Sequence, residues 1–287
     1  MTNNDKLRAG LPCALACVAL LGSAAAGAAG TPDPGDYVPA PAGTSVLALY
    51  AQQQTADATY TDGEKTGDGL GLTLNVGVAR FMHYFEVAGR PMDVEVILPY
   101  ARQSITSLDD RVSGLGNLQI GSTLWTLSDV ESGRHWGWAA YLSLPTGQDK
   151  ANGLLVSEDR YALDVETGYI LPLGGAWSLD LIGQTEFYTR DDTSGVSRRP
   201  LLRAFAHLSY QWSPATRLAV SARQSWGASE SLDGETTLGT KNDTNLMLTW
   251  AHQFTDTFQL QLQYAQDVKV RNGNPVRALQ ARTVFAF

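Results

Sequence analysis

The side chains that could do chemistry here are four histidines and a set of acids and bases spaced two residues apart. Hydrolytic metal chemistry needs imidazoles close together in sequence or paired with thiolates, because a tetrahedral ion gathers three or four ligands. His83, His135, His207 and His252 show no such spacing, and His135 falls in a turn. Nucleophilic chemistry needs a serine or cysteine beside a base. No signature serine stands beside a suitable histidine. Gly114-Leu115-Gly116 lacks the strand-to-helix setting of a phosphate loop. No catalytic residue, cofactor or metal is therefore expected.

The acids and bases are more informative. Asp93 and Glu95, Asp164 and Glu166, Asp180 and Glu186 recur at even separations, as do Arg203 and His207, with Ser209 on the same face. In an extended strand, residues two apart share a face. Together with Arg223, Arg282, Gln259, Gln261 and Gln263, these residues lie opposite the apolar positions of their segments. They form an acidic arc and a basic arc. Two physical accounts fit: charges that pair and fill a narrow interior, or a transverse field lining a path for water and solutes.

Positioning such a set requires strands. Apolar and polar residues alternate through Trp136, Trp138, Ala140, Leu142 and Leu144, and again from Trp177 to Phe187 and from Phe258 to Tyr264. The segments 45–54, 69–86, 92–105, 115–127, 136–147, 161–172, 177–190, 201–212, 217–228, 244–254, 258–270 and 276–287 make twelve strands. In 69–86, Leu70, Leu72, Leu74, Val76 and Val78 share one side. Longer polar connections at 55–68, 106–114, 148–160, 191–200 and 229–243 alternate with shorter ones, and only 271–275 is short where a long one is due. An all-β, antiparallel, up-and-down barrel that crosses a membrane needs this alternation, with long outer loops and short periplasmic turns. Trp136, Trp177, Trp212, Trp250 and Phe254 fall near the short-turn ends, where an interfacial aromatic girdle belongs.

The termini agree. Residues 1–28 read as a secretory signal, with Lys6 and Arg8 before an apolar run from Leu11 to Leu21 and small residues at Ala26-Gly27-Ala28. Its run is too short to span a bilayer, and it holds both cysteines, Cys13 and Cys17. A lipid anchor at Cys17 is the alternative use of the Leu15-Ala16-Cys17 stretch. Cleavage leaves 19 basic and 28 acidic residues, from 21 − 2 and 29 − 1, a net charge of −9 that excludes nucleic acid as a partner. Residues 29–44 form a Pro-rich, extended periplasmic lead-in with room to fold back into a lumen, and 45–287 form the barrel. The chain closes on VRALQARTVFAF, whose Phe285 and Phe287 resemble the assembly signal of bacterial outer-membrane proteins.

Further short motifs point to a family. The lead-in from Asp36 to Thr44, the following Leu47-Ala48-Leu49-Tyr50, Leu74-Asn75-Val76-Gly77, Val96-Ile97-Leu98-Pro99-Tyr100 and Leu144-Pro145-Thr146-Gly147 resemble the outer-membrane phenol-degradation meta-pathway (MetA-pathway) family. That resemblance implies a β-barrel of the Gram-negative outer membrane concerned with uptake of aromatic or other hydrophobic compounds. The expected function is a channel for small organic solutes by passive diffusion. Its expected partners are outer-membrane lipid, the barrel-assembly machinery and the solute. The alternatives are an outer-membrane enzyme of the phospholipase kind and a structural or adhesive barrel.

Overall fold

The computed structural model describes residues 31–287, so the signal segment expected at 1–28 and the two cysteines lie outside the described residues. Twelve long antiparallel strands follow in chain order: β1 (Ser45–Ala56), β2 (Leu72–Val87), β3 (Arg90–Ile105), β4 (Gln119–Asp129), β5 (Arg134–Ser143), β6 (Ala162–Gly174), β7 (Trp177–Tyr188), β8 (Leu201–Ser213), β9 (Thr216–Gly227), β10 (Lys241–Thr255), β11 (Phe258–Lys269) and β12 (Arg277–Ala286). Each pairs with its chain neighbours. β12 returns to β1 in register from Val46↔Ala286 to Thr55↔Arg277, which closes the sheet. Ser45 and Phe287 extend that seam with reciprocal backbone hydrogen bonds of 2.8 and 2.9 Å. Closure leaves no row of unpaired amides, the condition for strands to stand in hydrocarbon.

The outer surface is apolar. Leu49, Val96, Leu142, Leu181, Val220 and Leu248 all point outward and are exposed, in a band that would aggregate a water-soluble protein. Aromatic side chains ring the short-turn end. Trp136 contacts Trp138 and Tyr169, Trp177 contacts Tyr210, and a chain of rings runs from Trp250 through His252, Phe254 and Phe258 to Phe285. The short connections are tight turns. Ala88 and Gly89 join β2 to β3 with φ of 51° and 74°, the left-handed pair that matches the twist of the strands it joins. At the other end the short 270–276 connection is covered by the 57–71 loop, since Tyr60 and Gly273 exchange backbone hydrogen bonds of 2.8 and 3.0 Å.

β2 departs from the pattern of an apolar exterior. On β2 the apolar residues Leu72, Leu74, Val76 and Val78 are buried inside the barrel, while Asn75 and Gly77 are on the outside. With Ile97, Ala101 and Ile105 of β3, Val112, and Leu154 and Leu155 from the 144–161 loop, they form an apolar cluster within the lumen. Alternation shows that the two faces differ and cannot show which one meets lipid. The inward fold of the loop decides it: Gln103 donates to the Gly153 carbonyl at 3.2 Å and accepts from the Leu155 amide at 3.1 Å.

The same region holds a short seam. The β3–β4 ladder pairs only Met92, Glu95, Val96 and Ile97 with β4, because the upper part of β3, Tyr100 to Ile105, pairs with Asp110–Leu115. Above Pro99 the wall is completed by loop segments. Asn117 binds the backbone of Val156, Glu158 and Gly147 at 2.8, 2.7 and 3.0 Å.

Candidate functional site

Asp93, Glu95, Asp164, Glu166, Asp180, Arg203, His207 and Arg282 are all buried on the inner face, and Glu186 and Arg223 lie there with partly covered side chains. Gln261 and Gln263 are buried beside them. The opposed arcs do not simply pair across the lumen. Arg203 bonds Gln184 at 2.8 Å and lies 3.4 Å from Glu186, both on the adjacent β7. Arg223 meets Asp267 of β11 at 3.3 Å. Gln184 also donates to Asp164. Two arginines unnoticed in the sequence join the set. Arg80 of β2 forks onto Glu95 at 2.6 and 3.1 Å, and Arg217 of β9 donates to the Pro34 carbonyl. The one signal for Arg80 was its interruption of the Leu72–Val78 apolar face.

The lead-in lies inside the barrel, anchored part-way along the lumen. Residues 34–38 form consecutive turns, and Pro32, Asp33, Pro34 and Tyr37 are buried. Proline restricts the backbone and leaves fewer amides to satisfy, which suits a short segment packed in a polar lumen. Every wall supplies an anchor. Asp33 and Asp36 each lie 2.9 Å from Arg282, Asp36 lies 3.4 Å from Arg80, and the Gly35 amide donates to Asp180 at 2.7 Å. Tyr37 donates its hydroxyl to Glu166 at 2.5 Å, and its carbonyl accepts from the Trp125 indole at 2.8 Å. Its ring sits in a slot between Gly137 and Gly168. A Cβ built on either glycine would lie 2.8 or 2.2 Å from the ring. Around the segment is a cavity of about 330 Å³ whose wall includes Arg80, Arg217, Arg282, Tyr84, Tyr141 and Ile97, and beyond it lies one of about 100 Å³ that Arg203 and Arg223 face. A larger concavity of about 1270 Å³ includes the outward Leu208, Trp212, Val220 and Leu248, and as lipid-facing surface it is no lumenal site.

The strand register does bring a serine against a histidine. Ser221 Oγ lies 2.7 Å from His207 Nδ1, and Asp180 is opposite His207 on the next strand. The three occupy neighbouring strands through register alone, which sequence spacing does not display. The geometry is not that of a hydrolytic relay. A triad places serine and carboxylate on different imidazole nitrogens. Here the serine takes Nδ1, Nε2 has no hydrogen-bond partner among the described residues, and Asp180 accepts from Gly35. Among the described residues no group of three or more possible metal ligands occurs.

The long-loop end is tied by charge. Arg198 holds Glu158 at 2.8 and 2.5 Å and Glu230 at 2.7 Å, and Arg160 lies 3.6 Å from both Glu158 and Asp191. These contacts join three of the long loops. Lys150 and Thr193 donate to Asp159 at 2.6 and 2.8 Å, and those hydrogen bonds hold its carboxyl below the usual carboxylate range.

A family described as "Putative MetA-pathway of phenol degradation" matches residues 55–282. The crystal structure of an outer membrane channel from Pseudomonas putida F1 superposes with a TM-score of 0.84 at 29% identity, over 89% of this chain and 100% of that one. The beta domain of the Bordetella autotransporter BrkA gives 0.54 at 12% identity over 86% and 100%. The transport unit of the autotransporter AIDA-I from Escherichia coli gives 0.56 at 10% over 95% and 97%. The last two share the fold alone. No curated protein matches the chain.

Proposed function

The chain belongs to the phenol-degradation meta-pathway family, and on that premise we propose that it is a Gram-negative outer-membrane channel that passes small hydrophobic or aromatic solutes by diffusion. The observation that carries this reading is a lumen with both charged and apolar walls that keeps cavities of about 330 and 100 Å³ around the segment that precedes β1. The similar Pseudomonas putida protein is an outer membrane channel, which supports the same reading. Residues 1–28 act as the signal, and the barrel-assembly machinery reads the closing strand with Phe285 and Phe287. The lumen-lining set is Asp93, Glu95, Asp164, Glu166, Asp180, Glu186, Arg203, His207, Arg223 and Arg282. A phospholipase-like enzyme is disfavoured by the placement of Ser221 on His207 Nδ1.

Orientation follows from loop length. Cysteine placed at Gly63, Asp192 or Gly234, all exposed, should react with a membrane-impermeant thiol reagent on intact cells, and cysteine at Gly89 or Pro214 should not. Labelling at Pro214 without labelling at Asp192 would reverse the barrel. Transport itself is tested by swelling of protein-loaded liposomes in small aromatic solutes. No swelling with the parent or with a variant freed of residues 31–43 would reject the channel.

A further inference from the structure

We infer that Arg282 is the anion-binding residue of the lumen, that its ligand is a carboxylate carried on an apolar body, and that Asp33 and Asp36 hold the site as an internal competitor. This rests on the channel reading and names the solute class for it. The lumenal guanidiniums are neutralised in different ways. Arg217 donates to the Pro34 carbonyl, and Arg80, Arg203 and Arg223 each meet a carboxylate fixed on a wall strand, Glu95, Glu186 and Asp267 respectively. Arg282 does not. Among the described residues its only ion pairs are Asp33 and Asp36, both from the lead-in, each at 2.9 Å.

Arg282 is 9% exposed, so the barrel buries a permanent cation and leaves its neutralisation to a segment outside the sheet. Departure of the lead-in alone would strand that charge, and an unpaired buried charge is strongly disfavoured. An incoming carboxylate removes the penalty by taking over the guanidinium. An uncharged solute cannot.

The guanidinium is also incompletely used. Both aspartates are bound through a single nitrogen, Nη1, and Nε has no hydrogen-bond partner among the described residues. A carboxylate free to orient would take two donors of the fork, the geometry in which arginine binds carboxylates most strongly. The surroundings suit an apolar body. The Arg282 guanidinium lies 5.5 Å from the centroid of the Tyr50 ring, and Met82, Tyr84, Ile97, Tyr141 and Val284 face the same 330 Å³ cavity. The acids on that wall are already engaged: Glu95 by Arg80 and Tyr141, Glu166 by Tyr37, and Asp93 by the Thr123 amide.

The test uses the full chain with sodium benzoate, benzyl alcohol and benzylamine, read by calorimetric binding to purified protein and by conductance in planar bilayers. Benzoate should bind, and the two others should not compete with it. In Asp33→Asn/Asp36→Asn the internal competitor is gone. Benzoate should then bind at least about tenfold more tightly, since apparent affinity scales with the fraction of open sites. That variant should also conduct without ligand. Arg282→Gln should lose benzoate binding, and Arg282→Lys, for use if the glutamine variant does not fold, should retain only part of it. Heat-modifiable migration on gels checks folding in each case. Benzoate binding unchanged in Arg282→Gln, or benzyl alcohol gaining as much as benzoate in the double variant, would overturn the site while leaving the channel. Benzoate binding that depends on Arg282 in a protein that never conducts would uphold the site and reject the channel.

Discussion

Gly168→Ala should unseat the lead-in and raise the ionic conductance of the barrel several-fold, with assembly unchanged. The added methyl would lie 2.2 to 2.5 Å from three atoms of the Tyr37 ring. Such distances are well inside van der Waals contact, so one partner must move. The glycine is in a closed strand ladder, paired with Gly137 and Ile182, whereas Tyr37 is on a segment with no ladder of its own. The lead-in should yield. Movement of Tyr37 would break its bonds to Glu166 and Trp125 together, so the anchors should fail cooperatively. Gly183→Ala on β7 is the control, because a Cβ there has nothing within 4 Å. Single-channel recordings of both variants decide the matter. Equal conductance in the two, with Gly168→Ala properly folded, would mean that the slot does not hold the segment in place.

The second large effect separates two arginines that sequence reasoning placed together. Arg203→Ala should lower unfolding stability by about 3–5 kcal/mol, the usual consequence of removing one member of a buried ion pair. Its side chain is 5% exposed and its partner Glu186 is 13% exposed, so the carboxylate left behind has little access to water. Gln184, which bonds both Arg203 and Asp164, would lose its bond to the guanidinium. Arg223→Ala should cost much less, because its own side chain is 21% exposed and Asp267 keeps hydrogen bonds from Asn245 and the Val276 amide, both at 2.9 Å. Its effect should appear in ion selectivity instead, since its guanidinium faces the cavity of about 100 Å³ above the lead-in. The paired measurement is denaturant unfolding and the reversal potential in a salt gradient. A stability loss at Arg223 as large as that at Arg203, with no change of selectivity in either, would make both charges mere filling.

The number, order and rough limits of the strands were legible in the sequence, because a half-buried strand shows a period of two and the turns interrupt it. Length alternation among the connections gave the two ends of the barrel, and the buried acids and bases were found from parity alone. Their partners were not. Arg282 and Asp33 are 249 residues apart, and Ser221 meets His207 only because β8 and β9 pair in one register out of several. Periodicity is also blind to sign, so the inward apolar face of β2 was settled by a loop that folds over it. The sequence allowed the lead-in to fold back into the lumen but did not place it there. A proline-rich segment declares that it cannot be a central strand, but its place is chosen by Arg282, Asp180, Glu166 and a pair of glycines brought together only when the sheet closes. Local chain chemistry determined the elements here; the pairing of charges across the closed sheet, where unpaired burial is too unfavourable to persist, decided what fills the lumen.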